Sequence, residues 1–438
     1  MSTERRTTPD LLDELAWRGL LHQCTDETAL RRHLDLGQGG GRRRIYAGFD
    51  PTADSLTIGN LVPIMLLRHV QRAGHEPIVV MGGGTGLIGD PSGKSAERQL
   101  MTADTVAEHI SKQRPIFESL LGDGVKVRDN AEWLAGLGYI EALRDIGKHF
   151  SVNMMMQKDS VRSRLQDRDQ GISYTEFSYM ILQAYDFAYL FEKEGVTAQC
   201  GGSDQYGNMV AGSDLIRRRQ FASSDHEAEA FAFTAPLMTK ADGGKFGKTE
   251  SGAIWLTRER TSPYAYFQFW LNTADADVGR FLRTFTLLPQ EDIDRLERSA
   301  AENPGAREAQ RTLAREATTL LHGAAESEAA EAAGRALFSG DIAGLSAELL
   351  EEVLSGAPAS AYARDRLAAG VDLIDVLIET GLAKSKREAK QFIANGSVLV
   401  NGQRAEDGRS LTTDDLVHGS VIALRRGKKQ WHVTRWSV

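Results

Sequence analysis

Arg44-Ile45-Tyr46-Ala47-Gly48-Phe49-Asp50-Pro51-Thr52-Ala53-Asp54-Ser55-Leu56-Thr57-Ile58-Gly59-Asn60-Leu61-Val62-Pro63-Ile64-Met65-Leu66-Leu67 changes its periodicity midway. Arg44 to Phe49 reads as a strand, and Ile58 to Ala73 as a helix with Pro63 near its start and Gly74 closing it. A strand that turns into a helix over Asp50 to Asn60 presents backbone amides, hydroxyls and Gly59 to an anionic or ribose-bearing ligand. Outward from this unit, Pro77 to Met81 reads as the next strand. Further pieces follow at Asp104 to Leu121, Val125 to Arg128, Thr175 to Glu194, Val196 to Cys200 and Asp204 to Arg219. Alternating strand-like and helix-like stretches predict an α/β domain with a mainly parallel, Rossmann-like sheet.

After Ser262-Pro263 the periodicity is almost wholly helical, through an Ala/Glu-rich stretch from Ala324 to Ala336. Gly356, Pro358 and Ser360, with little apolar pattern around them, suggest a linker. The expected domains are 1–256 for the α/β part with an N-terminal helix and an insertion, 257–354 for a helical domain, 355–370 for the linker and 371–438 for a small α+β module. In that module Ser385 with Glu388 is a capping-box signature, Asn395-Gly396 ends the helix, Val398 to Val400 is a short strand and Asn401-Gly402 a hairpin turn. These residues resemble the small RNA-binding module of ribosomal protein S-four. Lys386, Arg387 and Lys390 on its helix, with Arg425, Arg426, Lys428 and Lys429, are its candidate RNA-binding residues.

Charge agrees with that placement. The chain carries a net −8, yet from Lys384 onward eleven bases face five acids, so a +6 tail follows a body near −14. The apolar run Leu61 to Leu67 is far too short to span a bilayer, and Leu11-Leu12-Asp13-Glu14-Leu15 places acids where a secretory signal needs an apolar core. A cytoplasmic protein with no membrane role is expected. Cys24 and Cys200 are too few for a disulfide framework or a four-ligand zinc site, so two reduced thiols and no structural metal are expected.

Two glycine-rich patterns mislead. Gly84-Thr85-Gly86-Leu87-Ile88-Gly89 matches a dinucleotide fingerprint, but that motif needs a helix through its third glycine, and Asp90-Pro91 follows at once. An extended loop is expected instead. Gly89-Asp90-Pro91-Ser92-Gly93-Lys94-Ser95 has three residues between its glycines where a phosphate-binding P-loop has four.

A second candidate for nucleotide chemistry is Lys245-Phe246-Gly247-Lys248-Thr249, introduced by Asp242-Gly243-Gly244. Two lysines on a glycine-rich loop suit closure over phosphates and neutralisation of charge that builds up in a transition state. With Asp50 to Asn60, this segment resembles the two signatures of class I aminoacyl-tRNA synthetases. Tyr46 to Leu56, Gly86 to Ser92, Gly147-Lys148-His149-Phe150-Ser151-Val152-Asn153 and Gly201-Gly202-Ser203-Asp204-Gln205 are similar to the bacterial tyrosyl-tRNA synthetases, over nearly the whole chain.

The resemblance implies a class I catalytic domain, an anticodon-side helical domain and an S-four-like module. It implies ATP-dependent activation of tyrosine and its transfer to tRNA(Tyr), with Mg²⁺ on the phosphates, in a homodimer. It assigns Tyr46 and Asp186 to the tyrosine hydroxyl, Asp90, Tyr179 and Gln183 to its ammonium group, and Gly48, Asp50 and Gln205 to the border of the substrate. Gly59, Asn60, Gly202, Asp204 and Lys248 fall to ATP, and Thr52, Thr57, Asn60, Lys245, Lys248 and Thr249 to catalysis.

The residues support a pocket independently. At about 100° per residue, Tyr179, Gln183 and Asp186 lie within roughly 60° of one another, while Phe177, Met180, Ala184, Phe187 and Phe191 share another side. A site that hydrogen-bonds a hydroxyl rejects the analogue lacking it, and this family is itself the known instance, at about 10⁵-fold against phenylalanine. Thr57-Ile58-Gly59-Asn60 departs from the family by replacing both signature histidines, and Tyr206 stands where tryptophan is usual. Loss of one donor at Thr57 is expected to slow activation by about 10² to 10³ unless another group compensates. Alternatives are a weakened synthetase paralog acting as an RNA-binding or regulatory protein, and an oxidoreductase resting on Gly84 to Gly89.

Overall fold

The computed structural model describes residues 10–37, 41–90, 100–158, 161–162, 172–221, 229–249, 252–340, 342, 344–427 and 430–437. Two compact units divide at Gly323 and Ala324.

In the first unit the strands are Gln23–Cys24 (β1), Arg44–Phe49 (β2), Glu76–Met81 (β3), Lys126–Asp129 (β4), Val196–Gly202 (β5) and Phe231–Ala235 (β6). They form one sheet in the order β1-β6-β5-β2-β3-β4, parallel except for the short edge strand β1. The central strands are buried along almost their whole length, as a parallel sheet covered by helices requires. Connections run outward from β2 through β3 to β4, then return to the other side of β2 at β5. This reversal opens a crevice beyond the carboxyl ends of β2 and β5, where ligands of open α/β sheets bind.

The helix expected from Ile58 to Ala73 begins as a 3₁₀ turn, Ile58–Asn60, and continues as α-helix over Leu61–Arg72. Gly84 to Gly89 does not form the expected extended loop. Thr85–Leu87 is a 3₁₀ turn, with Gly86 N–H donating to Gly82 O at 2.7 Å and Gly89 N–H to Thr85 O at 2.8 Å. No dinucleotide-type helix runs through it. Pro91 to Ser95 of the P-loop look-alike lie outside the described residues.

The helices Pro263–Leu271, Asp275–Phe285, Gln290–Glu302 and Glu308–His322 belong to this first unit. The expected helical domain over 257–354 therefore spans both units, and Gly323, at φ +90°, ends the last of these helices. Arg18, 1 % exposed, ties the N-terminal helix to this region. Its guanidinium donates to the carbonyls of Arg283 and Thr286 at 2.9 Å each, groups left free where a helix ends, and to that of Leu288 in the following loop at 2.8 Å.

The second unit carries helices Ala324–Ser339 and Ala347–Val353 and a five-stranded sheet. The expected linker over 355–370 instead contains a strand, Ala359–Ala363, paired in parallel with Val433–Ser437. Its small residues hide a period of two that only packing discloses: Tyr362 stacks on Trp436 at 4.8 Å, and Ser360 Oγ lies 2.8 Å from His432 Nε2. The module's helix end and hairpin form as read, but only half of the capping box does, because the Glu388 carboxylate accepts from Lys384 N–H, one residue before the cap. Ser385 Oγ accepts from Glu388 N–H at 3.2 Å, and Asn401 and Gly402 adopt φ 47° and 88° in a hairpin turn.

Candidate active site

A cleft of about 760 Å³ opens at the carboxyl ends of β2 and β5. Tyr46 and Gly48 reach it from β2, Asp50 and Thr52 from the turn that follows, and Thr57, Gly59 and Asn60 from the 3₁₀ turn. Tyr179, Gln183 and Asp186 enter from one face of the Tyr174–Glu194 helix, as their spacing predicts. Asp90, Gly202, Asp204, Gln205 and Lys245 complete the predicted part of the lining.

At the deep end, Asp186 is 4 % exposed and accepts from Trp133 Nε1 at 2.7 Å and Asn130 Nδ2 at 2.9 Å. Burial still pushes its carboxyl up to about 7, with the Asp50 and Asp129 charges adding to it. Tyr46 is 1 % exposed, and its hydroxyl is buried with no hydrogen-bond partner. Burial, then the Asp186 charge, raises its pKa well above the usual tyrosine range. A buried polar group without a partner costs about 1–3 kcal/mol, so this end of the cleft is built for a polar ligand atom.

Midway along the wall the acids are held in two groups, Asp50 in one and Asp90 with Asp204 in the other. Tyr179 Oη donates to Asp50 Oδ2 at 3.0 Å, and Thr85 Oγ1 to Asp50 Oδ1 at 2.9 Å. Gln205 Nε2 donates to Asp90 Oδ2 at 2.6 Å and to Asp204 Oδ2 at 3.1 Å, while Gln183 Oε1 accepts from Asn208 Nδ2 at 3.0 Å. Burial, with Asp50 and Asp90 next, raises the Tyr179 pKa well above its usual value. Burial also raises that of Asp204, opposed by its Gln205 bond. Fixed negative charge concentrated here suits an ammonium group.

At the open end the two signatures touch. Ile58 N–H donates to Ile254 O at 2.9 Å, and Ile254 N–H to Gly247 O at 3.0 Å. Gly247 has φ +78°, and a Cβ there would lie 2.3 Å from Ile58 Cγ2, so only glycine fits. Phe246 anchors the loop by stacking on Phe285 at 5.1 Å and 9°, edge-on to Phe281 at 5.1 Å. Lys245 lines the cleft, but Lys248 is exposed outside it, its carbonyl 3.4 Å from Lys240 Nζ. The Thr249 side chain lies outside the described residues.

Sequence reading missed Thr85, Asn130, Trp133 and Gln199. Asn130 Nδ2 also donates to Thr85 Oγ1 at 3.0 Å, so Asn130, with Trp133, holds Asp186 in place. The signal for Asn130 was its position just past the carboxyl end of a strand. For Gln199 it was a long amide side chain between Ala198 and Cys200 in a strand of mostly small or apolar residues.

The basic residues of the second unit separate into two groups. Lys386, Arg387 and Lys390 are exposed, with Lys386 2.9 Å from Asp375 Oδ1. Arg425 is turned inward and is not available to a phosphate. It is 8 % exposed, donates to Ser339 O at 3.1 Å and Leu337 O at 3.3 Å, and lies over the Trp431 ring. Arg426 donates to Leu382 O at 2.6 Å and lies over Phe392. Both point to packing because a guanidinium offers five donors that buried carbonyls can absorb. Lys428 and Lys429 lie outside the described residues. Among those residues no cluster of three or more His, Cys, Asp or Glu could hold a metal ion, and no helix is long and apolar enough to cross a membrane.

The profile of the family described as tRNA synthetases class I (W and Y) matches residues 38–339, and that of the tyrosine-tRNA ligase SYY-like C-terminal domain matches residues 350–434. A tyrosine-tRNA ligase of Bacillus caldotenax is 49% identical over 98% of this chain and 100% of its own length. One of Dechloromonas aromatica is 48% identical over 97% of this chain and 99% of its own. Among solved structures, a C-terminally truncated mitochondrial tyrosyl-tRNA synthetase of Aspergillus nidulans is similar at a TM-score of 0.66 and 30% identity, covering 76% of this chain and 95% of that one.

Proposed function

The chain belongs to the class I tRNA synthetases as a tyrosine-tRNA ligase, and on that premise we propose how its cleft works. The observation that carries the reading is the buried, unpartnered Tyr46 hydroxyl in the same pocket as Asp186. A tyrosine side chain entering there gives its hydroxyl to Asp186 and accepts from Tyr46. Phenylalanine leaves the Tyr46 hydroxyl unpaired and offers Asp186 no donor. The ammonium group sits among Asp90, Tyr179 and Gln183, and Gly48, Asp50 and Gln205 border the amino acid.

The tyrosine carboxylate attacks the α-phosphate of ATP, the bond to the β-phosphate breaks, and pyrophosphate leaves. An ionised carboxylate needs no general base, so catalysis rests on positioning and on stabilising charge on the leaving group. Gly59, Asn60, Gly202 and Asp204 hold the nucleotide. Thr52 and Lys245 face the phosphates from the cleft wall, and Lys248 with Thr249 joins them when the loop moves inward. ATP enters with Mg²⁺ on its phosphates, the ion being part of the substrate. A ribose hydroxyl at the 3′ end of tRNA(Tyr) then takes the tyrosyl group. The test is tyrosine-dependent exchange of pyrophosphate into ATP. Exchange that ignores phenylalanine supports the reading, and none with either amino acid overturns it.

The exposed Lys386–Ala394 helix is the proposed RNA contact. Replacing Arg387 and Lys390 together by alanine is expected to weaken tRNA binding and to lower the slope of log K against log salt by about 1 to 2. Arg425→Ala is expected to lower the unfolding midpoint instead, with the salt slope unchanged. A filter-binding titration at several salt concentrations, beside a melting curve, separates the two.

A second copy of the chain is the proposed partner of an apolar patch. Ile140 (73 % exposed), Tyr139 (64 %) and Tyr174 (61 %) make it up, and the Tyr139 and Tyr174 hydroxyls are close enough to interact. Sedimentation of Ile140→Asp is expected to give a monomer where the natural chain gives a dimer. The proposed setting is the cytoplasm.

A further inference from the structure

Thr57 and Asn60 replace the two signature histidines, and the structure binds them to each other. Thr57 backbone N–H donates to Asn60 Oδ1 at 3.0 Å, and the Thr57 hydroxyl donates to the same oxygen at 2.9 Å. Asn60 N–H returns a bond to Thr57 O at 2.9 Å. A backbone N–H can only donate, so the Asn60 atom facing it must be the carbonyl oxygen, and the amide's orientation is fixed by chemistry. Asn60 Nδ2 is thereby turned away from Thr57, and among the described residues it has no protein partner. Both residues line the cleft. The turn that carries them is itself fastened. Thr57 pairs with Trp255 as an antiparallel bridge, flanked by Ile58 N–H to Ile254 O at 2.9 Å and Leu256 N–H to Leu56 O at 2.8 Å.

We propose that Thr57 is a positioning residue for Asn60 rather than a phosphate ligand: its hydroxyl proton is spent on Asn60 Oδ1, which holds Asn60 Nδ2 toward the bound nucleotide. A hydroxyl has one proton. With that proton committed, Thr57 offers the triphosphate only lone pairs, and a triphosphate is itself an acceptor. The donor lost with the first histidine is thus not replaced at position 57, and the pair acts as one donor unit at position 60. The inference rests on the ligase reading, since it concerns the nucleotide of that reaction.

The test is a double-mutant cycle on the full chain in tyrosine-dependent pyrophosphate exchange, with tyrosine saturating and ATP varied. Asn60→Ala is expected to lower kcat by about 10², and Thr57→Val by about tenfold, both with tyrosine KM unchanged. Added to Asn60→Ala, Thr57→Val is expected to cost no more than about twofold. Thr57→Ser restores most of what Thr57→Val loses. Asn60→Asp keeps the acceptor that Thr57 needs but has no amide donor, so it should lose as much as Asn60→Ala. The inference is overturned if Thr57→Val costs its full factor in the Asn60→Ala background, if Thr57→Val alone is within about twofold of the natural chain, or if Asn60→Asp is. Exchange absent from the natural chain would instead remove the ligase reading.

Discussion

Asp186→Ala is expected to lower tyrosine-dependent pyrophosphate exchange by about 10³ while leaving the weak exchange with phenylalanine nearly unchanged. The carboxylate is already held by Asn130 and Trp133, so it meets the ligand hydroxyl as a fixed acceptor with no reorganisation to make. Phenylalanine makes no bond there and loses nothing, which makes it the control for an intact fold. Equal losses for both amino acids would show that Asp186 supports the cleft without reading the hydroxyl.

Tyr46→Phe separates binding from stability at the same place. Removing a buried hydroxyl that has no partner is expected to raise the unfolding midpoint, while weakening tyrosine against phenylalanine by about tenfold. The raised Asp186 pKa sets the pH dependence. A ligand hydroxyl donating to the carboxylate favours its ionised form, and that form is lost as pH falls through about 7. Tyrosine affinity is therefore expected to be about tenfold weaker at about pH 6 than at about pH 8, and phenylalanine affinity to be flat. A flat profile for tyrosine would mean that the Asn130 and Trp133 bonds keep Asp186 ionised throughout.

Gly247→Ala is expected to lower the rate of adenylate formation by about 10², with tyrosine binding unchanged. The new Cβ meets Ile58 Cγ2 at 2.3 Å on a backbone at φ +78°, so either the signature loop or the Ile58 turn must shift. A shift of about 1 Å in a positioning element can cost this much without touching the deep end of the cleft. Pre-steady-state adenylate formation and equilibrium tyrosine binding read the two effects separately. A variant with its full rate would show that the contact between the signatures does not set the geometry of the phosphates.

Local pattern told most of the fold. Strand and helix periods placed β2 to β5, the two glycine-bearing turns and the polar face of the Tyr174–Glu194 helix within a residue or two, because hydrophobic spacing is a property of neighbouring residues, but they left β1 and β6 unread. Proline after Gly89 was enough to reject a dinucleotide helix. The Ala359–Ala363 strand escaped notice because its small side chains carry little apolar signal, and its partner strand begins about seventy residues later.

By itself the sequence determined an α/β chain with two glycine-bearing segments, a helix with one polar face and a basic C-terminal module. Tertiary structure decided where those residues sit and what they meet. Asp186 receives Trp133 and Asn130 from 53 and 56 residues away, Arg425 is absorbed by carbonyls 86 and 88 residues away, and Lys245 rather than Lys248 lines the cleft. Nothing local to these residues sets such outcomes. A charged or polar side chain takes its role from the dielectric and the partners that chain folding brings to it.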